Sequence, residues 1–103
     1  MIYEMTQPQY FHLLQIKASV SLEIKGFKTK GGSAYAYAKR IYNLKGSRPK
    51  ILSWLEDMVE LQLKLARWRG NYDRAVAADN HEQVDYAEGA IEQTLTEIQE
   101  LQQ

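Results

Sequence analysis

The sequence predicts an all-α fold, with two short N-terminal helices packed on a long C-terminal antiparallel helical hairpin. Three observations predict it. Apolar residues recur at spacings of three and four in four separate segments. Thr6, Ser33 and Ser47 each stand just before such a segment, where a hydroxyl caps a helix start. A short polar stretch, Asp79-Asn80-His81-Glu82, divides the last half of the chain into two helical runs.

The first run opens at Thr6-Gln7-Pro8-Gln9. Thr6 caps, Gln9 reaches back, and Pro8 sits in the first turn, where its missing N–H costs nothing. Leu13, Ile16, Val20, Ile24 and Phe27 then share one helical face. A rival pattern overlaps it. Ile16, Ala18, Val20, Leu22 and Ile24 alternate with polar residues, so a short strand near 16–25 is the lesser option. The cap and Gly26, a helix-stopping residue, favour helix.

Phe27 to Gly32 reads as a loop, followed by a helix from Ala34 to Leu44 with Ala34, Tyr37, Ala38, Ile41 and Leu44 along one stripe. Ser47 and Pro49 open the third helix. In it Trp54, Met58, Leu61, Leu65, Trp68, Tyr72 and Ala75 form a heptad-like seam. A second row, Leu52, Leu55, Val59, Leu63 and Ala66, lies roughly opposite, so this helix needs cover on two sides. The phase holds through Gly70, which predicts a continuous helix to about Ala78. Asp79 and Glu82 have capping-box spacing for the last helix, whose apolar side runs Val84, Ala87, Ile91, Leu95, Ile98 and Leu101. Counting outward from the turn sets Arg74 opposite Asp85 and Arg67 opposite Glu92.

All 103 residues read as a single domain. Charge divides it. Residues 1–50 carry nine basic side chains against two acids, a net +7; residues 51–103 carry four against eleven, a net −7. The chain is thus a basic helical lobe followed by an acidic helical hairpin. A charge asymmetry of this kind points to an anionic partner for the basic half, or to neutralisation of one half by the other. There is no cysteine, which excludes disulfides and thiolate metal sites. No signal-peptide pattern and no apolar run of about 20 residues is present, so the expectation is a cytoplasmic protein without membrane contact.

Catalysis has little to stand on. His12 and His81 are far apart, Ser33 and Ser47 are accounted for as caps, and Lys30-Gly31-Gly32-Ser33 lacks the spacing of a phosphate-binding glycine loop. No enzyme, no cofactor, no metal and no small-molecule substrate is therefore expected. His81 with Asp85 has metal-ligand spacing, but a histidine in a polar turn usually has no such role.

Anion binding is better supported. Lys28 and Lys30 precede the second helix, Lys45, Arg48 and Lys50 surround the start of the third, and Lys39 and Arg40 lie between them. Helix N-termini with nearby cations bind phosphate, and Tyr35 and Tyr42 offer faces on which bases can stack. A helix-turn-helix reading is weakened by Glu56 and Asp57, which would face DNA phosphates. The leading expectation is a homodimer, joined along Trp54, Met58, Leu61, Leu65, Trp68 and Tyr72, that binds DNA or RNA phosphates through its basic half. The alternative is an adaptor or inhibitor that binds a protein partner through the hairpin and its acidic last helix.

Overall fold

Thr6 takes an extended backbone conformation, and its hydroxyl accepts the Gln9 amide while the Gln9 side chain accepts the Thr6 amide. That reciprocal cap starts α1 (Gln7–Ile24) in the computed structural model, which describes residues 2–27 and 32–103. Helix persists through 16–24, so the alternating pattern there is not a strand. Leu13, Ile16 and Val20, three and four apart, are the buried face. Gly26 turns the chain at φ 94°, a conformation open to glycine, and the Phe27 amide closes back on the Leu22 carbonyl at 3.0 Å.

Ser33 caps α2 (Ala34–Tyr42) by accepting the Ala36 amide at 3.2 Å. The helix ends two residues short of the expected Leu44. Asn43 enters the left-handed region, and the Asn43 and Leu44 amides both donate to the Lys39 carbonyl. Asparagine tolerates that region better than other non-glycine residues, which makes it a stop that helical periodicity does not register.

The third helix, α3 (Arg48–Ala77), is unbroken through Gly70. Its end differs from expectation. Asp79 adopts a left-handed conformation, the Asn80 amide reaches back to the Ala75 carbonyl at 2.9 Å, and Asn80 rather than Asp79 caps α4 (His81–Leu101) by accepting the Gln83 amide. Asp79 instead pairs with His81 at 3.3 Å on an exposed turn. The described residues contain these four helices and no strand. None of the four is long and apolar enough to cross a membrane.

The chain divides into two compact units. One comprises residues 6–59; the other joins residues 1–5 to residues 60–103. In the first, α1 packs on α2, and the buried side chains are Leu13, Ile16, Val20, Ala38, Ile51, Leu55, Met58 and Val59. The second buries Leu65, Ala75, Ala87, Ile91 and Ile98, together with Gln62 and Thr94. The Thr94 hydroxyl donates to the Ala90 carbonyl on its own helix, so its burial leaves no polar atom unpaired.

Within this second unit Lys64 pairs with Glu97 at 3.2 Å, and the Trp68 and Tyr86 rings meet edge to face with centroids 5.5 Å apart. Arg74 turns to Asn71 on its own helix. The N-terminal segment is strapped down by two carboxamides. Gln62 accepts the Met5 amide at 3.0 Å and donates to the Tyr3 carbonyl at 2.7 Å; Gln102 does the same for both backbone groups of Ile2. Glu4 adds an ion pair to Arg69 at 2.9 Å.

Candidate nucleic-acid interface

The unit of residues 6–59 holds nine basic side chains and three acids, a net +6, and the other holds four and ten, a net −6. The division of charge along the sequence is thus also a division between compact units. Lys28 and Lys30 lie outside the described residues. The remaining basic candidates are placed by α2 and by the first turn of α3.

Tyr35 organises the site. Its hydroxyl donates to the Gly46 carbonyl, in the connection between α2 and α3. Lys39, one turn further along α2, brings its ammonium within 5.0 Å of the Tyr35 ring centre and 3.4 Å of the hydroxyl. The Arg48 guanidinium lies 4.7 Å from the same ring centre. Lys50 runs its side chain past Gly46, which holds φ 131°, a conformation that residues with a side chain rarely adopt. Lys39, Arg48 and Lys50 therefore converge on one corner, and Lys45 is exposed beside it in the chain. Arg40 stands over the Tyr37 ring at 5.5 Å, and the Tyr37 hydroxyl is hydrogen-bonded to His12 at 3.2 Å.

Tyr42 has another role. Its ring packs on Trp54 with centroids 5.3 Å apart, and burial, with Tyr37 nearby, pushes its phenol above the ordinary range. A ring engaged in that way braces α2 against α3. Tyr35 is likewise already covered by cations, so a base would have to displace them to stack on it.

The start of α2 already holds an anion. Glu23 accepts the Ser33 hydroxyl and the Ala34 amide, both at 2.6 Å, and lies 3.5 Å from Arg48. A carboxylate from α1 thus takes the place expected for a phosphate. The Ser33 hydroxyl above all, then the Ala34 and Tyr35 amides and Arg48, hold its carboxyl below the usual range against partial burial. A lowered value means that the folded state gains stability from ionised Glu23 above the ordinary carboxylate pKa of about 4.3 and loses it as pH falls through the folded value. Glu23→Gln is expected to lower the thermal midpoint at neutral pH. The two melts should converge as pH falls from the ordinary carboxylate range through the lowered value of folded Glu23; a gap that is the same at neutral and acid pH would mean that the charge of Glu23 does not matter.

The candidates along α3 divide. Met58 and Leu65 are covered within the chain, whereas Trp54, Leu61, Trp68 and Tyr72 keep part of their surface. In the second row Leu55 and Val59 are buried, while Leu63 is 46% exposed. Cover on two sides thus reaches Val59 and lapses at Leu63. Sequence reasoning missed Glu23 as a helix-capping anion. The available signal was its isolation, as the sole acid between Met5 and Leu55.

The chain matches no family model, no curated protein and no solved structure.

Proposed function

We propose that this is a non-enzymatic helical protein that binds nucleic-acid phosphates through the basic unit of residues 6–59. The observation that carries the reading is the convergence of Lys39 and Lys50 with Arg48 at the Tyr35–Gly46 corner, in a unit of net charge +6 where Arg48 alone of the three pairs with a carboxylate, Glu23, among the described residues. Cations without carboxylate partners release counterions when they meet a phosphate backbone, and that release drives binding with little sequence choice. Glu23 assigns the contacts to side chains, since the start of α2 is already filled.

The reading includes an antiparallel α3–α4 hairpin, supported by the Lys64–Glu97 and Trp68–Tyr86 pairs. A homodimer along α3 belongs to it through the surface that Trp54, Leu61, Trp68, Tyr72 and Leu63 retain.

Fluorescence anisotropy with labelled duplex DNA, single-stranded DNA and RNA tests the proposal. Affinity should fall steeply with salt. Changing Lys39, Arg40, Lys45 and Lys50 together to Gln should flatten the duplex log–log salt dependence by about 3–4. Arg48 is left in place because it holds Glu23. Absence of binding at low salt overturns the reading.

A second reading, a protein-binding adaptor, is favoured by the exposed Tyr86 and Val76, at 66% and 52%, in the unit of net charge −6. Exposed apolar side chains among like charges suit a basic protein surface.

A further inference from the structure

In a unit with ten acids and four cations, one cleft is lined without a single carboxylate. It has a volume of about 420 Å³ and is formed by the later turns of α3 and the first turns of α4. Trp68 and Tyr86 supply aromatic surface, their rings inclined at 61°. Arg74, Asn71, Asn80 and Gln83 supply the polar lining, and alanines complete it.

The polar groups favour one kind of ligand. The Arg74 guanidinium donates to the Asn71 side chain. One of its terminal nitrogens lies 3.5 Å from where a Cβ on Gly70 would stand, so it rests close to bare backbone. The Asn80 side-chain oxygen Oδ1 accepts the Gln83 amide at 3.2 Å, which leaves its NH₂ group as donor. The positive end of the α4 dipole adds to the same sign. A guanidinium fork matches the two oxygens of a carboxylate.

We propose that this cleft binds a small aromatic monocarboxylate, its ring against Trp68 and Tyr86 and its carboxylate on Arg74. Asp73, Asp79, Glu82 and Asp85 lie next to lining residues in the chain and oppose any anion, a dianion more than a monoanion, so the single cation Arg74 limits the ligand to one negative charge. The site uses none of the basic side chains of residues 6–59, so it does not rest on nucleic-acid binding; it shares only Trp68 with the α3 surface of the proposed homodimer.

Titration of the full isotope-labelled chain with benzoate, followed by amide NMR, provides the test. Benzoate should shift amides between residues 68 and 87 saturably, with a dissociation constant in roughly the millimolar range. Benzamide and Arg74→Gln should each weaken binding about tenfold, because each removes a charge-assisted hydrogen bond. Tyr86→Ala, which removes one of the two aromatic rings at a side chain 66% exposed, should also weaken it while helix content by circular dichroism stays unchanged. Phenyl phosphate should bind less tightly than benzoate, and benzylammonium should leave these amides unmoved. The proposal is overturned if benzoate shifts none of these amides, if benzamide matches it, if phenyl phosphate binds more tightly, or if Arg74→Gln with unchanged helix content binds equally well.

Discussion

Leu55→Ala should destabilise the protein by about 2–5 kcal/mol, the range for truncating a fully buried leucine. Leu55 is 0% exposed, and Met58 and Val59, one turn on in the two apolar rows, are buried with it. Truncation loses the transfer free energy of the removed carbons and leaves a cavity among side chains that relax only partly. For a domain with a total stability of about 5–15 kcal/mol, the loss should lower the thermal midpoint by more than about 10 °C. Leu63→Ala is the matched control. It changes the same residue type on the same helix and in the same apolar row, but at a site 46% exposed, and should cost less than about 1 kcal/mol. Thermal and urea unfolding followed by circular dichroism would compare them. Equal losses would mean that burial along this row does not change at Leu63.

The second large effect is expected at Gln62→Leu. The wild-type carboxamide, 6% exposed, satisfies one backbone donor and one backbone acceptor at once, Met5 N–H and Tyr3 C=O. Leucine has a similar size but offers neither group, so both partners must be resolvated or left unpaired at about 1–3 kcal/mol. The segment is also held by Gln102 and Arg69, so it should loosen at the Met5 end first. Hydrogen exchange at the Met5 amide should accelerate well beyond what the change in global stability explains. Unchanged Met5 protection in the variant would show that the Gln62 clamp contributes nothing.

Much of the helical architecture was readable because periodicity and caps are local. Thr6 with Gln9 and Ser33 with Ala36 decide between helix and strand inside a few residues. The alternation over 16–25 is locally ambiguous; it resolves to helix because a strand there would need a partner strand and the described residues supply none. Asp79 and Asn80 are both good capping residues, and which one caps depends on backbone angles that composition does not encode. The start of α2 was legible as an anion site, but its occupant was not, because Glu23 arrives from another helix. Gln62 and Gln102 carry no local signal of their role, because their partners are separated from them by 57 and 100 residues. The charge division needed only counting, and it survives regrouping by contact almost unchanged.

The strap of residues 2–5 has a consequence for the order of assembly. The acidic unit is built from two stretches with the whole of residues 6–59 between them. Closing a connection of that length costs an entropy that grows as the logarithm of its length, about 3.5 kcal/mol before a constant term. α1, α2 and the opening turns of α3 meet over much shorter separations and can gather while the chain is still being synthesised. The hydrogen bonds from Ile2 to Gln102 join residues 100 apart and need α4 in place, so they are expected to form after the shorter-range contacts of residues 6–59.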